Sequence, residues 1–397
     1  MSVALLDDLR VVEVSLLAPN MLGMHLADLG ADVVKVEAPG AGDYTRSVGA
    51  ARQGGLSFLH LRWNRGKRSV VIDLRTPEGA AVFRDLVAAA DVVIEGMRAG
   101  ALERRGLGYE ALRALKPSIV FCSLSGLGQT GPYRDLPTHG VAYDAYAGHA
   151  PPETTDDGFV TIPRRYYDIG TQAGGLYAAI GVLAAVIHAR ATGEGTYLDV
   201  AQADAAVSWN ATKLDPLLSG APPIGAGGPA LQESVRYQYY ATSDDRTVLF
   251  AASERHFFRQ FCDAVGRDDL VSESDAEFGE HGRGDVVLRR KLAELFKTRT
   301  QAEWVALFIE ADVPGAPVNA VTDLLDDPQF LDRAQIVEHE HPEAGPLRML
   351  ATPIHTREPP VAVRPAPAQG EHTDEILHEL GYDDARIDAL REGGAVR

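Results

Sequence analysis

An aspartate stands directly before the longest uncharged stretch of the sequence. Asp168 follows Arg164, Arg165 and two tyrosines, and residues 169–187 contain no Asp, Glu, Lys or Arg. An aspartate at the start of a helix is commonly an N-cap, whose carboxylate accepts hydrogen bonds from free amides of the first turn. The same position favours an ionised carboxylate, which can attack a carbonyl carbon as a nucleophile. Helix capping and covalent catalysis both stay open for Asp168, and the two arginines are candidates for holding a carboxylate.

A second candidate for proton transfer is His139, in the segment PTHGVAYDAY at 137–146. A histidine changes its charge near neutral pH and can serve as a general acid or base. An isolated histidine is more often structural, and its residue type alone does not assign a role. Two further histidines, His339 and His341 in EHEHPE, could bind a metal, but a solvated charged loop is the favoured interpretation.

Cations are concentrated in a few segments of an acidic protein. The 397 residues have a formal net charge of −18, which disfavours non-specific nucleic-acid binding. An anionic ligand must therefore be held by a local cluster of basic side chains. The candidates are Lys67, within RWNRGKRS at 62–69, and Arg75, Arg98, Arg104 and Arg105. A solvated charged face is the alternative for each of them.

Alternating strands and helices must position these residues. Five apolar, β-branched runs predict strands, at 9–15, 31–40, 69–74, 91–97 and 118–126. A further strand and helix lie within 196–214. Strands that are apolar throughout and separated by helices indicate an α/β fold with a parallel sheet covered on both faces. Ligand-binding loops of such sheets follow the strands, which is where Arg75 falls.

The composition changes at 219–234, where glycine and proline are frequent. We therefore predict a first domain part at 1–218, a linker at 219–234, a smaller α+β domain at 235–330 and a C-terminal part at 331–397. The boundary signal is the Gly/Pro-rich segment, since such segments commonly connect domains.

Several function classes are disfavoured. The turn SLLAPNMLG at 15–23 lacks the glycines that let a backbone approach a pyrophosphate, so neither a nicotinamide nor a flavin cofactor is expected. The N-terminus lacks the basic start of a signal peptide. The uncharged span 169–187 contains four glycines, which favours a core helix over a membrane helix. With two distant cysteines, we predict a cytoplasmic protein with no metal.

Several long motifs, in the same order, resemble the family III CoA transferases. They include GADVVKVEAPGAGDYTR at 30–46, NRGKRSVVIDLRTPEG at 64–79, GALERRGLGYEAL at 100–112 and VPGAPVNAVTDLLDDPQF at 313–330. This CaiB/BaiF family holds formyl-CoA and carnitine-CoA transferases and the 2-methylacyl-CoA racemases. The resemblance implies a Rossmann-like large domain completed by residues 331–397, a smaller middle domain, and an interlocked homodimer.

The resemblance also implies roles for individual residues. Asp168 attacks an acyl-CoA, so that coenzyme A and a small organic acid are the substrates, and no nucleic acid or membrane is a partner. The residues implied to contact CoA are Ile72 and Met97 beside the adenine, Arg75 and Arg104 at its charged groups, and Lys67, Arg98 and Arg105 as further cations. GAGG at 225–228 matches a loop that closes over the aspartyl intermediate, with a plain linker as the alternative.

Departures from the family pattern bear on which reaction is catalysed. His139 lies where the racemases carry a histidine that forms a two-base pair with the aspartate. Ala241 stands near the place of the glutamate that orients that histidine. Leu17 replaces a glutamine of the formyl-CoA enzymes, and Ala38 replaces an arginine that contacts CoA. We therefore favour CoA transfer between acids, with 2-methylacyl-CoA racemisation and an inactive acyl-CoA-binding protein as alternatives.

Overall fold

A computed structural model describes residues 3–223, 231–271, 284–359 and 362–397. Its central element is a six-stranded sheet. The strands are β1 (Arg10–Ser15), β2 (Asp32–Glu37), β3 (Lys67–Val71), β4 (Val92–Gly96), β5 (Val120–Ser125) and β6 (Tyr197–Ala201). Their order is β3-β2-β1-β4-β5-β6, and every neighbouring pair is parallel. This is the doubly wound order of a Rossmann-like domain, and the predicted α/β fold class is confirmed.

Helices follow most strands of this sheet and continue through the rest of the chain. In the described residues they are α1 (Asn20–Asp28), α2 (Phe58–Trp63), α3 (Pro77–Ala88), α4 (Tyr109–Leu115), α5 (Val141–Tyr146), α6 (Ile169–Thr192), α7 (Gln202–Ser208), α8 (Ala211–Leu218), α9 (Arg255–Val265), α10 (Val286–Phe296), α11 (Gln301–Glu310), α12 (Pro328–Arg333), α13 (Thr373–Glu379) and α14 (Asp384–Glu392). Short 3₁₀ turns lie at Tyr44–Arg46, Glu103–Arg105, Leu231–Glu233, Asp268–Leu270 and Val321–Leu325.

The chain divides into two compact units. The first contains the described chain up to Thr212 together with Ala334–Arg397, and the second is Lys213–Arg333. The second unit holds a three-stranded antiparallel sheet of β7 (Gln238–Ala241), β8 (Thr247–Phe250) and β9 (Gly315–Pro317). The first unit also contains a hairpin of β10 (Ile336–His341) and β11 (Gly345–Leu350), and two-residue pairs at 52–53 with 56–57 and 153–154 with 160–161.

Two apolar cores cover the two faces of the parallel sheet. On one face α3, α4 and the C-terminal helices bury Phe83, Leu112 and Ile376 against the strands. On the other face α1 and α6 bury Leu22 and Val182. The strands are apolar along most of their length because both faces are covered, as parallel sheets require.

The long helix α6 is apolar around most of its circumference. Of the described helices, it alone is long and apolar enough to cross a membrane, and half of its most apolar window is buried inside the protein. The side chains of Leu176, Tyr177, Ile180 and Ile187 are nevertheless exposed. The predicted helix start at residue 169 agrees with the structure, and the helix runs five residues beyond Ile187, to Thr192.

Candidate active site

A cavity of about 760 Å³ opens where the strand order of the sheet reverses. Its walls are the segments that follow the carboxyl ends of β1, β4 and β5, at 16–19, 96–99 and 124–128. A crevice at this position is the usual ligand site of open α/β sheets, because loops on either side of the switch point diverge. His139 and Tyr143 also line this cavity, so the structure places one of the two predicted catalytic residues on its wall.

Asp168 lies at the N-cap position of α6 but does not cap the helix. Its side chain accepts no hydrogen bond from the first turn, and its Oδ1 atom is buried without a hydrogen-bond partner. A buried carboxylate oxygen without a partner is costly, and such atoms in native proteins call for an explanation. The sequence leaves both helix capping and nucleophilic attack open for Asp168, and the structure contains no capping bond from this side chain.

Asp144 on α5 makes the capping interaction instead. The N–H of Gly170 donates to Asp144 Oδ1 at 2.9 Å, and the Asp144 residue is fully buried. The two helices approach closely, since a Cβ added to Gly170 would lie 2.5 Å from the Cβ of Tyr143. Asp168 does not itself line the cavity, but Tyr143 does, and the first turn of α6 therefore packs directly against the cavity wall.

The two carboxylates and Tyr143 influence one another electrostatically. Burial raises the pKa of Asp144, the N–H of Gly170 lowers it, and the charge of Asp168 raises it again. Burial also raises the pKa of Tyr143, and the charge of Asp168 acts in the same direction. These effects require short separations in a region that excludes water. The start of α6 therefore holds a pair of like-charged groups beside a neutral phenol.

A second, smaller cavity of about 240 Å³ lies at the carboxyl ends of β1, β2 and β3. Ile72 and Met97 contribute apolar surface to it, and Arg75 and Arg105 contribute cations. Ala38, which stands in place of the family's arginine, lies on the same wall. The predicted adenine contacts and two of the predicted cations are thus brought together around one cavity.

A third cavity, open and about 640 Å³ in volume, adjoins the second. It is lined by Arg75, Arg84, Arg104 and Arg105. Arg98, Arg104 and Arg105 also line the large cavity. Arg105 therefore borders all three cavities, and the basic residues link them electrostatically. Sequence reasoning missed Arg84, although its position on α3, two turns after Pro77, places it over the loop that carries Arg75.

Lys67, which the sequence predicts as a CoA contact, lines none of these three cavities. Lys67 is fully buried, and its Nζ donates to the Glu13 carboxylate at 2.8 Å, to the Asn20 carbonyl at 2.9 Å and to Asn64 Oδ1 at 3.2 Å. An ammonium group has three N–H donors, so none is left for a ligand. Burial lowers the pKa of Lys67 to about 8, against the opposing charge of Glu13.

The other cations of 62–69 are also mostly used inside the protein. Arg65 is buried and forms two hydrogen bonds with Asp28, at 2.6 and 2.8 Å. Arg68 pairs with Asp32 at 2.7 Å and with two glutamates of α13. This charged segment stabilises the fold, whereas the cations that line the three cavities described above come from Arg75 onward.

Lys67 belongs to a buried polar network beneath the turn that follows β1. Lys35 lies 3.3 Å from the Glu13 carboxylate and 3.0 Å from that of Asp43. Ser15 contacts Glu13, and the same turn contains Leu17 in the left-handed region at φ 58°. That conformation is unusual for leucine. The sequence signal for this network is a charged residue within each apolar strand, Glu13 in VVEVS and Lys35 in VVKVE.

Other predicted features have different outcomes. The GAGG segment at 225–228 lies outside the described residues. Within the described ranges, no group of three His, Cys, Asp or Glu side chains is arranged to hold a metal ion. His341 is buried and its Nε2 lies 3.0 Å from the Ala366 carbonyl, so its surroundings are those of a structural histidine.

Comparison with known proteins gives consistent results over nearly the whole chain. Residues 6–373 match CoA-transferase family III. Succinate–glutarate CoA-transferase of Agrobacterium fabrum is 34% identical, over 94% of this chain and 95% of its own. Succinyl-CoA:mesaconate CoA-transferase of Haloarcula marismortui is 35% identical, over 95% and 97%. A CAIB/BAIF family protein from Brucella suis has a similar solved structure, with a TM-score of 0.74, 31% identity and coverage of 96% and 100%.

Proposed function

The chain belongs to CoA-transferase family III, and we propose that it moves CoA from an acyl-CoA to a free carboxylic acid with Asp168 as the nucleophile. The observation that supports this role is the state of the Asp168 carboxylate. It sits at the positive end of α6, accepts no capping bond, and has one buried oxygen without a partner. Such a carboxylate is available to attack a thioester.

The reaction proceeds in four displacements. The Asp168 carboxylate attacks the thioester carbonyl, the C–S bond breaks, and a mixed anhydride forms as CoA thiolate leaves. The thiolate then attacks the aspartyl carbonyl, which releases the donor acid as a carboxylate and leaves an aspartyl-CoA thioester. The acceptor carboxylate attacks this thioester to give a second anhydride and thiolate. The thiolate finally attacks the acceptor's acyl carbonyl, which yields the new acyl-CoA and restores Asp168.

The basic cavities support binding of the nucleotide end of CoA. The apolar surface of Ile72 and Met97 suits an adenine ring, and Arg75, Arg104 and Arg105 suit phosphates. Arg105 borders the nucleotide cavities and also the large cavity at the switch point. This continuity gives the pantetheine arm a route toward the start of α6.

We propose dicarboxylic acids as the substrate class. The similar Agrobacterium and Haloarcula proteins are named for succinate, glutarate and mesaconate, each of which has two carboxyl groups. A second carboxylate that stays free during transfer needs a cation near the acyl group. Arg98 and Arg134 line the large cavity, and Arg164 and Arg165 lie just before Asp168. These four guanidinium groups are the candidates for binding the second carboxylate of the substrate.

The experiment is a screen of acyl-CoA donors and acid acceptors, with product acyl-CoA measured by mass spectrometry. Hydroxylamine added during turnover will convert an activated Asp168 to its hydroxamate, which peptide mass spectrometry locates. Asp168→Asn is the control, and it is expected to give neither product nor adduct. Exchange of the α-proton in deuterium oxide without an adduct would instead indicate the racemase, with His139 as one base. Binding of acyl-CoA with neither result would indicate an inactive relative.

We propose that the active form is a homodimer. Leu176, Tyr177, Ile180 and Ile187 form an exposed apolar stripe along α6, at spacings that put them on one side of the helix. A stripe of this kind on a helix next to the nucleophile is typical of a subunit interface. Sedimentation velocity measures the mass directly, and Ile180→Glu is expected to shift it toward that of the monomer.

A further inference from the structure

We propose that Asp144 is a positioning residue, which caps α6 in place of Asp168 and so leaves the Asp168 carboxylate free to react. This inference rests on the proposed role of Asp168 as nucleophile. It concerns a residue outside the predicted site, and it explains why a carboxylate at an N-cap position forms no N-cap bond.

The contact itself is well defined. Asp144 Oδ1 accepts from the N–H of Gly170 at 2.9 Å across 26 positions of sequence. Its residue is fully buried, and its backbone carbonyl accepts from the His149 N–H at 2.8 Å. The backbone of Asp144 is therefore held within α5. Its Oδ1 atom is bonded to the first turn of α6, and its Oδ2 atom is buried without a partner.

Two other helices that follow an aspartate show the usual arrangement. Asp285 precedes α10 and accepts from the Leu288 N–H at 2.8 Å, and Asp383 does the same for Arg386 before α14. In each case the residue just before the helix caps its own first turn. The first turn of α6 differs because its acceptor comes from another helix, while the local aspartate has an unused, buried oxygen.

The consequence for reactivity is geometric. If Asp144 were absent, the free amides of α6 would attract the nearest carboxylate, and that is Asp168 at the N-cap position. Capping would turn the nucleophile toward the helix and occupy an oxygen that must attack. A displacement of about 1 Å can reduce a reaction rate about 100-fold, so the acceptor on α5 matters for catalysis without touching substrate.

The first test compares Asp144→Ala with Asp144→Asn, and uses Asp285→Ala as the matched control that loses an N-cap elsewhere. We expect Asp144→Ala to slow formation of the hydroxylamine-trapped Asp168 adduct about 100-fold, with little change in KM for acyl-CoA. Asp144→Asn keeps an acceptor oxygen and is expected to lose less than about tenfold, since Asn caps as well as Asp. Asp285→Ala should react at the wild-type rate.

The second test is a double-substitution cycle read by unfolding. In the wild-type background Asp168→Ala should not lower the unfolding midpoint, because the carboxylate makes no cap bond and has a costly buried oxygen. In the Asp144→Ala background Asp168 becomes the cap, so the same substitution should lower the folding equilibrium constant about fivefold. Asp144→Asn, which keeps the cap acceptor, is the control background, in which no such coupling is expected. Asp144→Leu, which is similar in size and cannot accept a hydrogen bond, replaces the alanine variant if that variant does not fold.

Two results would overturn the proposal: adduct formation by Asp144→Ala at the wild-type rate, or additive effects of the two substitutions on unfolding. Failure of the proposed function gives a different pattern. A wild-type protein that forms no adduct with any acyl-CoA refutes Asp168 as nucleophile, while the unfolding cycle still reports whether Asp144 displaces it from the cap.

Discussion

Replacement of Lys67 by methionine tests whether this lysine is structural, as its contacts indicate, or a CoA ligand, as its sequence position suggested. The substitution removes the ammonium group while it keeps an unbranched side chain in the buried space. Lys67 Nζ lies 2.8 Å from the Glu13 carboxylate, and both side chains are fully buried. Loss of the ammonium therefore leaves a buried carboxylate with fewer partners.

The expected cost can be estimated from these contacts. Removal of one partner from a buried ion pair typically destabilises a protein by about 3–5 kcal/mol. Glu13 retains Lys35 at 3.3 Å, but Lys35 also serves Asp43 at 3.0 Å. Two carboxylates then share one ammonium, so we expect a loss of about 3 kcal/mol, the lower end of that range. Addition of Glu13→Gln removes the unpaired charge and should restore more than half of this loss.

The assay has two measurements on the same protein. Urea unfolding gives the change in stability, and isothermal calorimetry gives the affinity of the folded protein for CoA. Lys67→Met should unfold at lower urea and bind CoA with wild-type affinity. The reasoning would be refuted by the opposite pattern, in which stability is unchanged, CoA affinity falls at least tenfold, and Glu13→Gln gives no rescue.

Three further predictions follow from the same contacts. Asp168→Asn should abolish transfer without lowering the free energy of unfolding, since the carboxylate makes no cap bond and has a costly unpartnered oxygen; parallel activity and urea measurements check this. Arg105→Ala should raise KM for acyl-CoA about tenfold with kcat preserved, because a charge-assisted bond is worth about 1.5–3 kcal/mol. Arg75→Ala should raise KM less, because the Arg75 guanidinium already pairs with Asp73 at 2.7 Å. Steady-state kinetics of the two variants distinguishes these effects. Cys122, whose pKa burial raises to about 12, should resist iodoacetamide at pH 8 until the protein is unfolded, which mass spectrometry of the labelled peptide detects.

The parallel sheet could be predicted because its evidence is local. Runs such as VVIEG and VFCSLS are mostly apolar, and the intervening helices are long enough to cross over the sheet. Ile72, Arg75 and Met97 follow strands of this sheet, so their grouping at one edge could also be predicted from the alternation. The strand order creates the crevice between β1 and β4. No local sequence pattern predicts that order, and only the structure shows it.

The surroundings of Lys67 could not be predicted because two of its three partners, Glu13 and Asn20, lie far from it in the sequence. Its three acceptors belong to Glu13, Asn20 and Asn64, on a strand, on a helix and just after another helix. Within RWNRGKRS the lysine looks like one of four exposed cations. A buried cation whose donors are all bonded within the protein is not available to a ligand, and the strand that carries Glu13, two positions away in the sheet, is not visible from positions 62–69.

Contacts from distant parts of the chain also explain why the sequence left both capping and nucleophilic attack open for Asp168. A local pattern predicts capping whenever an aspartate precedes a helix, because the free amides lie within reach of that side chain. Which carboxylate reaches them depends on what packs against the first turn, and here α5 brings Asp144 to Gly170. With the Gly170 N–H bonded to Asp144, the positive end of the helix still attracts the Asp168 carboxylate, but no cap bond holds the oxygens of Asp168. A nucleophile at a helix N-terminus requires both conditions, and only the first can be read from the sequence.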